Sequence, residues 1–415
     1  MGNTYIELLN ELKEKRLIAF GCGNFFNKFL LRYPALIEKI DFIIDNNYKQ
    51  EKYIFENIKI PVYRPNKLKD TKISNYVVIF FADRWREMQV QLNNIIGKDY
   101  LSFRYPFEVD YMKNKEMGYY HRIVVPIMEE LEKNECMGDV LELLHLDSKE
   151  NLLEELTVKK IISIPRMPVI LTPKCSLRCK ECNNLMWKFE IFEDLSTETI
   201  IASLKHIISC MDFLPNIELI GGEPFAAKNL KEVLDFLITE PKVLNIEITT
   251  NATILPKEDV IESLKSSKVV VRISDYSMVV NQDKFIKCMK VHGINYTKLL
   301  FENWTATGGI KKRNRDASEL IKQYYSCGSG YLCKTLWENK VYPCARAASL
   351  AELNIYKECP YVDVLKTEKL RERLIQFYLA PTCGPCDFCN SALEEVEYVE
   401  PAIQMKKDKS SILGE

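Results

Sequence analysis

The cysteines constrain this chain more than any other feature. Fourteen cysteines but only four histidines occur in 415 residues, and the cysteines are unevenly spaced. Cys175, Cys179 and Cys182 follow an apolar run with the spacing C-x3-C-x2-C. Six more form a second group near the C-terminus: Cys327, Cys333, Cys344, Cys383, Cys386 and Cys389. In a reducing compartment such clusters indicate metal binding rather than disulfides.

The charge balance and the apolar runs favour a cytoplasmic protein, where thiols stay reduced. The formal net charge is −1, which argues against bulk electrostatic binding to nucleic acid or to an anionic membrane. The longest apolar runs, such as Val77 to Ala82, are too short to span a bilayer. Met1 to Leu17 has the pattern of an amphipathic helix of mixed charge rather than a secretory signal, with helical periodicity over Tyr5–Lys15. We therefore expect a cytoplasmic protein with no nucleic-acid or membrane partner.

Residues 1–110 alternate between apolar runs and helical periodicity, which predicts an α/β domain with a small Rossmann-like parallel sheet. Predicted strands are Arg16–Phe20, Ile40–Ile44 and Tyr76–Ala82. Gly21 and Gly23 follow the first strand and Asp45 the second, which is half of a dinucleotide fingerprint. Phe26 occupies the third glycine position. A dinucleotide site, a nucleotide or nucleotide-sugar site, and a purely structural role all remain open; in a binding site, Asp45 would take ribose hydroxyls.

Residues 111–165 are predicted to be a helical connector, and regular alternation resumes over 166–310. Five strand-like runs alternate there with helical stretches, which predicts a parallel sheet that curls into a partial barrel. The runs are Pro168–Thr172, Ile217–Ile220, Ile246–Thr250, Val269–Ser274 and Tyr296–Leu300. Ligands gather at the carboxyl ends of such strands. The three clustered cysteines, a Gly-Gly-Glu-Pro turn and several short polar side chains all follow these ends.

The first cysteine group suits a metal centre with an open position. Three thiolates on one loop can hold three corners of an iron–sulfur cubane and leave the fourth iron without a protein ligand. The alternative, a zinc knuckle, needs a fourth ligand, and none is near in the sequence.

This combination of motifs resembles the radical S-adenosylmethionine (SAM) superfamily over about Arg166 to Cys389, with features of members that carry a SPASM or twitch-type auxiliary domain. The resemblance implies a partial (β/α)6 barrel in which Cys175, Cys179 and Cys182 hold a catalytic [4Fe–4S] cluster that binds SAM. It implies SAM-binding roles for Gly221, Gly222, Glu223, Pro224, Asn251, Arg272 and Ser274. Glu181 replaces the aromatic residue usual before the third cysteine, and Ala252 replaces a common glycine.

The same resemblance implies a cysteine-rich auxiliary cluster domain over 311–400, followed by a loose tail at 401–415. Its signature is a hairpin (Leu332–Trp337, then Val341–Ala345) in which Asn339 stands where glycine is usual. Six cysteines are too few to ligate two cubanes fully, so we expect one auxiliary [4Fe–4S] cluster. Two ligand sets are open, one with Cys333, Cys344, Cys386 and Cys389 and the other with Cys327, Cys333, Cys344 and Cys386. Structural zinc is the alternative.

Other residues have two interpretations each. Cys210 and Cys288 are interpreted as buried hydrophobic residues, and the alternative is a role as hydrogen-atom donors. Trp187, Trp304 and Trp337 belong to the core or to a substrate pocket. The basic run 311–315 is a solvated loop or a phosphate grip. Asp275 and Tyr276 contact substrate or only order Arg272.

The resemblance implies an enzyme that reductively cleaves SAM, abstracts hydrogen from a substrate, and receives electrons from a low-potential donor such as flavodoxin or ferredoxin. The N-terminal domain favours a small-molecule substrate, a nucleotide-linked sugar or related polysaccharide precursor. A radical SAM maturase that modifies a ribosomal peptide or protein is the first alternative, and a non-catalytic iron–sulfur or zinc scaffold is the second.

Overall fold

The computed structural model describes residues 2–4, 8–9, 11–55, 58–82, 85–108, 123–158, 161–190, 193–301, 303–307, 309–392 and 396–405. The chain divides into two compact units, Met1–Gly118 and Tyr119–Glu415. Part of the predicted first helix, the predicted boundary at 110 and residues 406–415 of the predicted tail lie outside the described residues. The finer predicted boundaries at 165, 310 and 400 remain predictions.

The first unit is built on one sheet. Its strands are β1 (Gly2–Thr4), β2 (Arg16–Phe20), β3 (Ile40–Ile44), β4 (Lys52–Phe55), β5 (Ile58–Tyr63), β6 (Tyr76–Phe80) and β7 (Leu101–Glu108). Their spatial order is β1-β7-β6-β2-β3-β5-β4. Neighbouring strands run parallel except for the antiparallel pair β4 and β5. The helices α1 (Asn24–Arg32) and α2 (Trp85–Ile96) follow the ends of β2 and β6.

The three strands predicted in this unit are confirmed, although the third ends at Phe80. The β4–β5 hairpin and β7 were not predicted. Pro61 lies within β5 and Pro106 within β7, and proline inside an apolar run argues against a strand in sequence analysis. The helix α1 ends at Arg32, because Pro34 begins a separate 3-10 helix, Pro34–Lys39.

Phe26 is a core residue of the first unit. Its ring is fully buried and lies 5.1 Å from that of Phe81 and 5.2 Å from that of Tyr53, measured between centroids. The position where a dinucleotide fingerprint has its third glycine is thus filled by an aromatic side chain that packs against strand and loop residues.

The second unit begins with the helices α3 (Val125–Lys133), α4 (Met137–Leu143) and α5 (Lys149–Thr157). Five strands and four helices then alternate: β8 (Arg166–Ile170), α6 (Thr197–Cys210), β9 (Asn216–Ile220), α7 (Leu230–Thr239), β10 (Ile246–Thr250), α8 (Glu258–Leu264), β11 (Val269–Asp275), α9 (Asp283–His292) and β12 (Tyr296–Leu300). The five strands were predicted within two residues at either end, and helices lie between them as predicted. The five strands are neighbours in chain order and parallel.

The C-terminal part of the unit extends the same sheet. Its elements are β13 (Trp304–Thr305), α10 (Ala317–Ser326), α11 (Gly328–Leu332), β14 (Thr335–Trp337), β15 (Lys340–Tyr342), α12 (Ala345–Glu352), β16 (Val362–Asp363), α13 (Leu370–Leu379) and β17 (Tyr398–Val399). β14 pairs in parallel with β8, and β15 and β16 follow antiparallel. The predicted hairpin is confirmed with shorter strands. Its left-handed residue is Glu338 (φ 52°), whereas the Asn339 side chain donates to Asp363.

Alternation along the strands separates two faces of this sheet. One face packs on the helices: Leu219 of β9, Ile248 of β10 and Val271 of β11 share a core with Leu204 of α6 and Leu234 of α7. The opposite face carries polar and charged side chains from the same strands. No helix among the described residues is long and apolar enough to cross a membrane.

We predict that Phe26→Gly destabilises the first unit by about 4–5 kcal/mol, because it removes a fully buried ring and places glycine inside α1. Urea unfolding of the full chain, followed by hydrogen exchange of peptides from β2 and β6, measures the loss. The matched control is Val90→Gly on α2, where the valine is 59% exposed. Its expected cost is about 1 kcal/mol. Equal losses in the two variants would contradict the packing role.

Candidate active site at the cysteine loop

The loop after β8 carries the three clustered cysteines. Its backbone turns back on itself, since Cys182 N donates to Cys179 O (3.2 Å) and Leu185 N to Cys182 O (3.1 Å). Sulfur atoms of the loop also accept hydrogen bonds, among them Cys175 Sγ from Leu177 N at 3.4 Å. These turns place three thiols on one short segment at the carboxyl end of β8.

The glycine turn after β9 lies directly against this loop. Gly222 N donates to Thr172 O at 2.8 Å, and Glu223 N donates to Lys174 O at 2.7 Å. A Cβ on Gly221 would lie 2.3 Å from Thr172 O, and one on Gly222 would lie 2.0 Å from Lys174 O. Neither position therefore accepts a side chain, and Gly221 also has a left-handed φ of 152°.

Glu223 is fully buried and ties the glycine turn to the end of β10. Its carboxylate accepts from Thr250 Oγ1 (2.7 Å), Asn251 N (2.9 Å) and Phe225 N (3.2 Å). Burial raises the pKa of Glu223 to about 7, although these three donors act in the opposite direction. Because both carboxylate oxygens already have internal partners, the geometry makes Glu223 a residue that positions the strand ends. Pro224, which follows it, is buried and begins a 3-10 helix, Pro224–Ala226.

Asn251 joins β10 to the cysteine loop. Its Nδ2 lies 3.2 Å from Ser176 Oγ and 3.7 Å from Cys175 Sγ. The next residue, Ala252, has a φ of 59°, which is a left-handed conformation. Glycine, which Ala252 replaces in the family pattern, adopts this conformation more readily. Gln282 is buried, and its Nε2 donates to Asn251 O (2.9 Å) and Ser274 O (2.8 Å), which fixes the ends of β10 and β11 together.

The loop cysteines suit an iron–sulfur cluster by the chemistry of their donors. Burial raises the pKa of Cys175 to about 12, and the charges of Glu223, Cys182 and Cys179 add to the shift. Burial also raises the pKa of Cys179, to about 11, and that of Cys182. Iron binds cysteines as thiolates, so a cluster on this loop would displace the protons that burial favours on the three sulfurs.

No three or more His, Cys, Asp or Glu side chains in the described parts of the chain form a group that could hold a single metal ion. A cubane binds each thiolate at a different iron atom, so its ligands need not meet at one point. The three sulfur donors, the backbone N–H groups that face them and the side-chain-free glycine turn all fit such a cluster with a small ligand beside it.

The guanidinium of Arg272 faces two carboxylates rather than the cysteines. Its guanidinium donates to Glu247 (2.6 Å) and lies 3.8 Å from Glu218, on the polar face of the sheet. Arg166 approaches the same two carboxylates, at 3.6 and 3.9 Å. The SAM contact of Arg272 stays a prediction, and in the described structure its guanidinium belongs to an ion-pair network. Asp275 pairs with Lys298 (2.9 Å) and does not order Arg272.

Ser274 and Tyr276 lie on the rim that faces the thiols. Ser274 is buried and hydrogen-bonds Tyr276. Burial raises the pKa of Tyr276, and the charges of Cys179 and the two other loop cysteines raise it further. The ring of Tyr276 packs edge-on against Trp304 at 5.5 Å, so this tryptophan lies beside the site. Trp337 instead belongs to a buried cluster and stacks on Phe189.

The second cysteine group divides in the structure. The pKa of Cys327 is raised to about 12 by burial and further by the charges of Cys344 and Cys389. That of Cys386 is raised by burial and by the charges of Cys344 and Cys327, with smaller effects from Cys389 and Cys383. Cys333 has other neighbours: it forms a β-bridge with Arg166, and its pKa responds to Arg166 and Glu218.

The basic run 311–315 holds the last cysteine turn, a use that sequence analysis missed. Arg315 donates to Cys386 O (3.1 Å), Cys389 O (2.9 Å) and Asn390 Oδ1 (2.8 Å). Asp387 accepts from the backbone N–H groups of Asn314 and Arg315. In the described structure the run therefore braces a protein loop.

Arg346 is a second residue that sequence analysis missed. It is 2% exposed and donates to Asn183 O (3.3 Å), beside Cys182, and to Phe388 O (3.1 Å), beside Cys389. It also donates to Gly309 O. Arg346 itself lies two residues after Cys344, so one buried guanidinium joins both cysteine groups. Nothing in the sequence marks it, because its partners are main-chain carbonyls remote along the chain.

In the first unit, Asp45 is already engaged by its own turn. Its carboxylate accepts from Asn47 N (2.7 Å), Tyr48 N (2.9 Å) and Cys22 N (3.1 Å). Burial acts to raise the pKa of Asp45, but these hydrogen bonds outweigh it and lower the pKa. The predicted ribose contact would have to compete with them. Cys210 and Cys288 pack against the core of the second unit but are only half-buried, so the prediction of full burial is corrected.

Residues 169–274 match the sequence model of the radical SAM superfamily. This segment spans four of the five parallel strands, the cysteine loop and the glycine turn. This segment therefore carries a radical SAM domain, which is the domain of enzymes that hold a [4Fe–4S] cluster and bind SAM.

Among curated proteins, the chain is similar to GTP 3′,8-cyclases. That of Stenotrophomonas maltophilia (strain R551-3) is 30% identical over 95 residues, 23% of this chain and 29% of the relative. That of Syntrophomonas wolfei is 29% identical over 97 residues, 22% of this chain and 28% of the relative. The chain thus spans less than a third of the length of these relatives.

Among solved structures, those to which the chain is similar include two that contain SAM. Streptococcus suis SuiB bound to S-adenosylmethionine is 15% identical, with 64% of this chain and 84% of that chain covered and a TM-score of 0.35. BtrN in complex with AdoMet and 2-DOIA is 16% identical, with 56% and 98% covered and a TM-score of 0.36.

We predict a pH-dependent stability that Glu223 causes. Its pKa is about 7 in the folded protein against an ordinary 4.5. The folded state therefore holds this proton more tightly, and the free energy of unfolding falls by about 3 kcal/mol as pH rises from about 4.5 to 7. Urea unfolding of the metal-free chain between pH 5 and 7.5 measures this slope, and Glu223→Gln should flatten it.

The control for this measurement is Glu262→Gln, because the Glu262 side chain is 83% exposed. The control should keep the wild-type slope. A Glu223→Gln variant with an unchanged slope would show that this carboxyl keeps an ordinary pKa in the folded chain.

Proposed function

We propose that this chain cleaves SAM reductively and abstracts hydrogen from a polar small molecule, with a second iron–sulfur cluster held in its C-terminal part. The observation that carries the proposal is the convergence of the cysteine loop, the glycine turn and Asn251 within hydrogen-bond distance at one end of a parallel sheet. When bound, the cluster and SAM supply hydrogen-atom abstraction from an unactivated carbon.

The chain's own residues divide the remaining work. The backbone of Gly221 and Gly222 packs against the cysteine loop and is proposed to receive the amino group of SAM there, while Glu223 holds that backbone in place. Asn251 and Ser274 stand on the neighbouring strand ends, within reach of a ligand beside Cys175. Tyr276 and Trp304 form an aromatic wall at the same rim, which excludes water from a reactive carbon.

The polar face of the sheet supports a polar substrate. Glu218, Glu247, Arg166 and Arg272 lie on it, and Thr249 donates to Glu218 at 2.7 Å. Carboxylates and hydroxyls arranged this way recognise hydroxyl groups better than apolar chains. We therefore propose a hydroxylated substrate, a nucleotide-linked sugar or related polysaccharide precursor, as the first choice. A peptide is the alternative.

Four thiols are proposed to hold the auxiliary cluster: Cys327, Cys344, Cys386 and Cys389. The set is supported because the charges of Cys344 and Cys389 raise the pKa of Cys327 and also that of Cys386, and because Arg315 fixes the turn that carries Cys386 and Cys389. Cys333, which both ligand sets from the sequence included, is left out because its neighbours are Arg166 and Glu218. Cys383 is also left out of the set, because its effect on the pKa of Cys386 is the smallest of the four thiols that act on it.

We predict that iron content reports this division. The wild-type chain, reconstituted without oxygen, should bind about eight irons, and each serine variant of the four thiols about four. Cys333→Ser should keep the full content. Cys210→Ser, on α6, is the matched control. A Cys333→Ser variant that loses four irons would restore a ligand set with Cys333.

We also predict the origin of the abstracted hydrogen. The reconstituted chain, with SAM and a low-potential reductant, receives nucleotide-sugar or peptide fractions from cells grown on deuterated medium, and the mass of the 5′-deoxyadenosine formed is measured. Deuterium should arrive with the nucleotide-sugar fraction. Its arrival only with peptides reverses the substrate proposal, whereas no SAM cleavage at all favours a non-catalytic scaffold.

A further inference from the structure

The chain's C-terminal segment, Ala402–Met405, lies along the cysteine loop. Lys180 N donates to Ile403 O at 2.8 Å, and Met405 N donates to Arg178 O at 2.9 Å. Between these two bonds, Cys179 and Gln404 form an antiparallel β-bridge. We name this segment the C-terminal strap. Sequence analysis placed it in a loose tail, and the structure corrects that expectation for residues up to Met405.

The strap is held at a second point before it reaches the loop. β17 pairs antiparallel with β13, and Ala306 N donates to Glu397 O at 2.8 Å. Ala402 is fully buried in a left-handed conformation (φ 55°), which turns the chain toward the cysteines. Gln404 is therefore delivered by a segment whose ends are both fixed, so little further conformational entropy is lost when its side chain makes contacts.

The Gln404 side chain reaches one of the three loop sulfurs. Its Nε2 lies 3.2 Å from Cys179 Sγ, and its Oε1 accepts from Arg178 N at 2.8 Å. Nε2 also donates to Ala402 O at 2.6 Å. An amide has one acceptor end and one donor end. Because Arg178 N and Ala402 O require opposite ends, the amide can face the sulfur only with its N–H group.

We propose that Gln404 is a positioning residue for the catalytic centre, which holds Cys179 in place and, through its N–H group, stabilises extra negative charge on that sulfur. The inference rests on the proposed function, because it requires Cys179 to be an iron ligand. Hydrogen bonds to ligand sulfurs stabilise the reduced, more negative state of a cluster and so raise its reduction potential. They also keep the ligand oriented when iron dissociates.

Two variants separate these effects. Gln404→Glu keeps an acceptor for Arg178 N but places a carboxylate oxygen where the N–H group faces Ala402 O and Cys179 Sγ. The main-chain bonds to the loop keep the strap docked, while the reduction potential of the SAM-binding cluster becomes more negative. Gln404→Leu removes both contacts, so the potential falls and the strap also loosens. The matched control is Ile403→Ala, since Ile403 contributes its main-chain carbonyl to the loop and its side chain is 41% exposed.

The experiment uses the full chain in three measurements. Electron paramagnetic resonance during a redox titration gives the potential of the cluster. Iron transfer to a chelator gives its release rate, which should rise about 10-fold in both Gln404 variants. Hydrogen exchange of metal-free protein reports the strap, and the amides of residues 178–180 should exchange faster in Gln404→Leu and at the wild-type rate in the other two variants.

Each result bears on a different claim. If both Gln404 variants keep the wild-type potential and iron-release rate, the proposal for Gln404 is overturned while the proposed function stands. If the wild-type chain binds no iron at all, the proposed function fails first. Faster exchange with an unchanged potential would reduce Gln404 to a structural contact and also overturn its role at the sulfur.

Discussion

The site depends on the close approach of two main-chain segments. Gly221 and Gly222 contact the backbone of Thr172 and Lys174 so closely that a Cβ at either glycine would meet a carbonyl oxygen at 2.3 or 2.0 Å. This contact sets the distance between the end of β9 and the cysteine loop. Glu223 extends it to β10 through Thr250 and Asn251. Three strand ends are thus fixed relative to the thiols by backbone geometry and one buried carboxyl.

Arg346 connects this fixed arrangement of strand ends and thiols to the second cysteine group. Its guanidinium is buried and donates to carbonyls beside Cys182 and Cys389. A buried cation is costly unless dipoles or charges surround it, and here main-chain carbonyls do so. Burial raises the pKa of Cys182 and Cys344, and the Arg346 charge acts against that shift at both thiols. One side chain therefore favours thiolates in both groups, although the groups are more than a hundred residues apart.

The sequence predicted what depends on local pattern. The alternation from β8 to β12 was found because each strand is a short apolar run bounded by polar turns, and the cysteine and glycine motifs stand at strand ends that parallel topology brings together. It could not predict Gln404, which contacts a sulfur 225 positions earlier. It also could not show that Arg272 forms an ion pair with Glu247, or that the Asp45 carboxylate accepts hydrogen bonds from its own turn. Those outcomes are decided by competition among partners that spacing does not reveal.

The second cysteine group shows the same limit in a single element. Spacing alone makes Cys327 and Cys333 look like paired ligands, since five residues separate them. In the structure those five residues are the helix α11, Gly328–Leu332. A helix rises about 1.5 Å per residue, so the two cysteines stand at its opposite ends, about 9 Å apart along its axis. Cys327 stays with Cys344 and Cys389, whereas Cys333 enters the sheet beside β8 and faces Arg166. Local helix formation, rather than cysteine spacing, thus decides which of these thiols lie near one another.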